Sequence, residues 1–194
     1  YRIRDLRAGG ERNFQERELL QGFVQYIQRL RPRIVTYNGR GFDIPVIKYR
    51  GMVHGLSAPM LYEPDYSYRY NTDSHCDLLE VMSDFGASAR MRLSDVCAAL
   101  DIPAKLGMDG SDVAKRFREG NIRAVRNYCE LDVLCTYLVY LRMVLQKGIL
   151  APSDFGEALL EVHRYLTEHK DHRPHLAEFL AAWPYQPTLP SQYP

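Results

Sequence analysis

The sequence predicts an α/β fold in which helices cover a sheet, and three observations carry this. A short β-branched run, Arg33-Ile34-Val35-Thr36-Tyr37, follows an amphipathic helix and ends at a glycine turn. A long helical stretch, residues 122–146, is apolar enough to need a large surface to cover. Gly- and Pro-rich punctuation separates these segments. The 194 residues, 46% of them hydrophobic, suffice for one substantial core. No apolar run approaches the roughly 20 residues that cross a bilayer, and the start has neither a signal-like apolar region nor a transit-peptide pattern. A cytoplasmic protein with no membrane partner is therefore expected. The net charge of +1 means that any phosphate-binding surface must be local. Cys76, Cys97, Cys129 and Cys135 form no CxxC pair and read as reduced, buried thiols.

From the N-terminus, the first clear helix is expected over about residues 13–30. Leu19, Leu20, Phe23, Val24, Ile27 and Leu30 recur at helical spacing, Glu16 and Glu18 suit its first turns, and Pro32 stops it. The β-branched run then gives a buried strand, broken at Asn38-Gly39. A helix begins near Asp43, with Pro45 tolerated in its first turn. Residues 51–74 are rich in Pro, Gly and Tyr and read as irregular, with a short strand around Tyr66–Tyr70. Short helices are expected over 77–83, with Asp77 as N-cap, and over 93–100 and 111–118. The longest helix spans 122–146, between a capping Asn121 and a left-handed Gly148. A final helix over 154–168 leads to a tail containing Pro174, Pro184, Pro187, Pro190 and Pro194, expected to be extended. Residues 1–150 read as the main domain, with residues 151–194 packed on the same domain. A lone strand cannot satisfy its own N–H and C=O groups. Tyr1–Leu6 is the candidate end of one neighbour, and further strands are expected upstream of Tyr1.

Two constellations carry chemistry. In Asn38-Gly39-Arg40-Gly41-Phe42-Asp43 a strand delivers a carboxylate to a glycine turn just as a helix starts. Such a group can hold a hard cation such as Mg²⁺, although on local features alone Asp43 reads first as an N-cap, the default for Asp at a helix start. In Tyr128-Cys129-Glu130-Leu131-Asp132, phenol and carboxylate are four residues apart and share a helical face. Val125, Leu131, Leu134, Leu138 and Leu141 place Asp132 in a largely apolar setting, where a metal ion or a structural ion pair would compensate it.

Asn-Gly-x-Gly-Phe-Asp followed by Tyr-x-x-x-Asp, on a strand-to-helix junction and a long helix, resembles the second and third motifs of DnaQ-like 3′→5′ exonucleases. More closely, the chain resembles predicted exonucleases related to the proofreading domain of family B DNA polymerases. The resemblance covers about residues 16–142, including Asp77-Leu78-Leu79, Ile102-Pro103-Ala104-Lys105 and Met108-Asp109-Gly110-Ser111. It implies a ribonuclease-H-like mixed sheet flanked by helices. It also implies two Mg²⁺ or Mn²⁺ ions held by four carboxylates, with Asp43 and Asp132 matching two of them. Tyr128 matches the tyrosine that orients the attacking water. Asn127 stands where another subclass has histidine, which favours the tyrosine version. Asn38 and Phe42 match residues that approach the DNA terminus, and Lys105 joins them as a candidate substrate contact. The implied partner is the 3′ end of a nucleic acid, single-stranded DNA above all, and the implied setting is DNA repair.

One feature departs from the pattern: no Asp-x-Glu precedes the first helix. Two ions need more anionic ligands than Asp43 and Asp132 supply. The expectation is therefore an exonuclease whose first motif lies upstream of Tyr1. The alternative is a catalytically inactive nucleic-acid-binding or scaffolding domain, and a helical interaction protein is a third reading. Lys105, Lys115, Arg116, Arg118, Arg123 and Arg126 form the densest basic region, read as a phosphate track or as a solvated helix face. Tyr62, Tyr66, Tyr68 and Tyr70 read as base-stacking or strand-packing rings. His163, His169, His172 and His175 do not share a helical face and do not read as a zinc site.

Overall fold

The computed structural model describes residues 1–10, 13–104 and 110–185. The chain is mixed α/β, mostly helical with a small parallel sheet, and packs as two compact units: residues 9–91, and residues 1–8 with 92–194.

The 9–91 unit begins with α1 (Glu16–Leu30), which ends where Arg31 turns into the left-handed region. Of the expected apolar stripe, only Val24 and Ile27 are buried, while Leu19, Phe23 and Leu30 stay exposed. Strand β1 (Ile34–Thr36) runs parallel to β2 (His75–Asp77), with Val35 opposite Cys76. Between them lie α2 (Asp43–Val53), a 3₁₀ turn at Pro59–Tyr62 and the one-turn α3 (Pro64–Ser67). α4 (Leu78–Met82) follows β2 directly. Ile27, Met60, Leu61 and Tyr66 form the core of this unit, with Ile34, Ile44 and Ile47 packed on it.

Two sequence expectations fail here. The expected strand at Tyr66–Tyr70 is instead the end of α3 and a turn, because the buried Tyr66 ring anchors the segment and donates its hydroxyl to Pro32 O at 3.0 Å. The neighbour of β1 among the described residues is β2 rather than Tyr1–Leu6. β1 is only half-buried, whereas β2 is buried throughout.

The other unit holds α5 (Leu93–Ala99), α6 (Val113–Arg118), α7 (Ile122–Gln146), α8 (Pro152–His169) and α9 (Pro174–Ala182). Both expected ends of α7 form: the Asn121 side chain accepts from Ala124 N at 3.1 Å, and Gly148 has φ of 68°. Leu134, Leu138, Leu141 and Val144 of α7 are buried, as are Phe155, Val162 and Leu166 of α8 and Leu176 and Phe179 of α9. Residues 174–182 are therefore helical rather than extended. Pro174 takes a first-turn position, where its missing N–H costs nothing, and Leu176 and Phe179 turn to the core. Tyr1–Leu6 has no strand partner among the described residues. Leu6 is buried, its N donates to Tyr165 Oη at 2.9 Å, and its carbonyl accepts from Arg173 Nη1 at 2.6 Å. Among the described residues, no helix is long and apolar enough to cross a membrane.

Candidate functional site

The turn after β1 is built by close approach. A Cβ on Gly39 would lie 2.5 Å from the Thr36 side chain, and one on Gly41 would lie 2.5 Å from Asn38 Oδ1. Asn38 itself adopts φ of 64°, a conformation that Asn tolerates better than most residues. Arg40 holds the outer side of the turn: its Nη groups donate to the carbonyls of Tyr66, Ser67, Tyr68, Asn71 and His75 at 3.0–3.3 Å.

Asp77 holds the inner side. Its carboxylate accepts from Asn38 N and Arg40 N, both at 2.8 Å, and from Leu79 N at 3.1 Å. It is thus the N-cap of α4 expected from the sequence, and also the clamp that fixes the turn, a role the sequence did not signal. His75, buried two positions earlier in β2, sits 3.0 Å from Thr36 Oγ1 across the sheet. Burial and the Arg40 charge push its pKa down to about 4.

From this turn Phe42 projects with 63% of its surface exposed, and Asp43 opens α2. The N-cap position belongs to Phe42, which makes no side-chain cap, so Asp43 is not the cap. Packing around the Asp43 carboxyl removes part of its hydration and the Asp77 charge repels it, which raises its pKa against its own backbone N–H. A carboxylate held in that condition at a helix start suits a hard cation, which would relieve both effects.

In the other unit, Tyr128 and Asp132 lie one turn apart on α7 and line one cavity of about 280 Å³ with Asn127, Arg116, His175 and Glu178. The face shared by Tyr128 and Asp132 is the one their spacing predicts. The Tyr128 hydroxyl lies 3.4 Å from where a Gly110 Cβ would stand, an ordinary contact distance. Asp132, however, is exposed rather than set in apolar surroundings. The buried carboxylate of this helix is Glu130, two residues earlier. It accepts from Ala8 N at 3.0 Å, pairs with His175 Nε2 at 2.8 Å and lies 3.7 Å from Arg173. Nothing in the sequence distinguished the two acidic residues, because α7 is apolar around most of its circumference.

Lys105 lies outside the described residues. Of the remaining basic region, Arg116 pairs with Glu119 at 3.6 Å and Arg118 donates to Ala114 O at 3.1 Å, as on a solvated helix face. Among the described residues no three His, Cys, Asp or Glu side chains cluster at metal-ligating distance, the C-terminal histidines included. Asp43 on the turn and Asp132 on the helix each present one accessible carboxylate, the donor type that a hard divalent ion takes.

No solved structure matches the chain at a significant level. Residues 1–183 match the model of a family described as predicted 3′–5′ exonucleases related to the exonuclease domain of PolB, and the chain belongs to that family.

Proposed function

We propose that the protein is a divalent-metal-dependent 3′→5′ exonuclease that shortens nucleic acid, single-stranded DNA in particular, by hydrolysis at its 3′ end. The observation that carries this reading is the pairing of Tyr128 with Asp132, one helical turn apart in one cavity, within a chain of this family. The small parallel sheet and its strand-to-helix turn support a ribonuclease-H-like reading of the fold.

Each residue has a distinct task. Asp43 and Asp132 would hold two Mg²⁺ or Mn²⁺ ions, together with further anionic ligands. When bound, such ions lower the pKa of water and stabilise charge on the departing 3′-oxygen. Tyr128 carries a phenol, which accepts and donates hydrogen bonds and so positions the attacking water. Phe42, exposed at the tip of the turn, stacks on the terminal base, and Asn38 fixes the turn that presents it. A cytoplasmic role in DNA repair completes the reading.

The test separates ligand from positioning group. Asp132→Asn removes a required negative charge and should abolish Mn²⁺ binding, measured by calorimetry, together with hydrolysis. Tyr128→Phe should leave Mn²⁺ binding intact and slow hydrolysis by about 10²-fold or less. If Tyr128→Phe abolishes metal binding, or leaves the rate unchanged, the assignment of Tyr128 is wrong.

A further inference from the structure

The 9–91 unit contains a concavity of its own, about 400 Å³, lined in part by the motif turn. Arg40 lines it from the turn, Lys48 from α2, and Arg69, Glu80 and Arg90 from the segments beyond. Four cationic side chains thus face one carboxylate. Glu80 is already shared, accepting from Arg69 Nε and from Arg90 Nη2, each at 2.8 Å. Arg40 is fixed in place by the five carbonyls it holds, and its buried Nε has no partner among the described residues. Burial lowers the Arg40 pKa, and the attraction of Asp77 and Glu80 does not make up for it.

Lys48 is the uncompensated group. Among the described residues no carboxylate lies within ion-pair distance of its ammonium, which sits 4.2 Å from the centre of the Tyr62 ring. Burial and the Arg40 charge both push its pKa down. Positive charge gathered in a concavity focuses the field and draws in an anion. The Tyr62 ring is 57% exposed, and Tyr68 and Tyr70 nearby in sequence are 60% and 54% exposed. These rings are therefore not strand-packing residues. A cationic pocket beside an exposed aromatic ring is the combination that takes a phosphate and the base next to it on an unpaired strand.

We propose that this cavity binds a backbone phosphate of single-stranded nucleic acid through Lys48, with Tyr62 as the stacking surface for the adjoining base. The proposal rests on the reading that the protein acts on nucleic acid, and it assigns a strand contact made by residues other than the proposed metal ligands and Tyr128.

The experiment measures fluorescence anisotropy of a labelled short oligothymidylate with the full-length protein in chelator, so that no strand is cut. Salt is varied between about 50 and 200 mM. Lys48→Met keeps the aliphatic packing on Tyr62 and should weaken binding roughly fivefold at the low-salt end. It should also make the slope of log affinity against log salt shallower by about 0.7, the share of one single-strand phosphate. Lys48→Arg should restore both, and Tyr62→Leu should weaken binding at least about fivefold with the slope retained. Lys147→Met, at the exposed end of α7, should match the wild type.

Unchanged affinity and slope in Lys48→Met overturn the proposal, as does an equal loss in Lys147→Met. In a parallel arm, inorganic phosphate alone is titrated. If only its binding depends on Lys48 and the oligonucleotide is indifferent, the cavity takes free phosphate and the strand assignment is overturned. Because binding is read in chelator, absent hydrolysis would sink the exonuclease reading and leave this result standing.

Discussion

Replacing Asp77 should damage the candidate site without touching any proposed ligand. The residue is 1% exposed, and its carboxylate accepts three backbone N–H groups, two from the motif turn and one at the start of α4. In Asp77→Ala the loss of the helix cap costs about 1 kcal/mol. Each of the two turn amides, stranded away from water, costs about 1–3 kcal/mol. The relief of burying one carboxylate fewer offsets part of this, while the lost attraction to Arg40 adds to it. A net loss of about 3–5 kcal/mol follows, or roughly 10 °C in melting temperature for a chain of this size. Asp77→Asn keeps one acceptor oxygen and should lose about half as much. Thermal and urea melts read the stability. Hydrogen exchange at Asn38 and Arg40 reads the turn, whose amides should lose protection in both variants. A melting temperature within about 2 °C of wild type in Asp77→Ala, with both amides still protected, would refute the clamp.

Further expectations follow from the same geometry. His75 is held neutral down to about pH 4 in the fold but protonates near 6.5 when unfolded, so stability should fall as pH drops from 6.5 towards 4 and flatten below. The loss attributable to His75 is about 2 kcal/mol by about pH 5, and His75→Gln should remove it from a pH series of urea melts. Because Asp43 has a raised folded pKa, ionising it opposes folding above that pKa. Asp43→Asn should therefore melt at or above the wild-type temperature at neutral pH while Mn²⁺ binding is lost; a lowered melting temperature would contradict the electrostatic reading. Glu130→Gln should cost about 1–3 kcal/mol and release the N-terminal segment, seen as faster exchange at Leu6 and Ala8; unchanged protection there would count against the Glu130 anchor.

The parts of this molecule that were legible in the sequence are those fixed by neighbours in the chain. Asn121 and Gly148 bracket α7 because capping and left-handed turns depend on a few adjacent residues. The glycines of the motif turn announce a close approach, and the structure finds the Thr36 side chain and Asn38 Oδ1 in the spaces they leave. What was hidden depends on distant partners. His75-Cys76-Asp77 carries no strand signal; it becomes a strand because β1 lies alongside and Arg40 and Asp77 tie the turn to it. Pro174 reads as a breaker in isolation, yet it starts α9 because Leu176 and Phe179 have a core to enter. On α7, apolar residues flank both Glu130 and Asp132 in the sequence, so spacing alone could not say which carboxylate is buried. His175, Arg173 and Ala8 decide it, from opposite ends of the sequence.

The central claim is metal-dependent shortening of a strand from its 3′ end. Its most direct test incubates the full-length protein with 5′-labelled single-stranded DNA, with Mg²⁺ or Mn²⁺ and in chelator, beside the Asp132→Asn variant. The account predicts a ladder of products shortened from the 3′ end by the wild type with metal, and none in chelator or from Asp132→Asn. A ladder that persists in chelator would contradict the metal-dependent mechanism. Bound but uncut DNA with metal present would contradict the enzyme and favour an inactive binding domain of the same family.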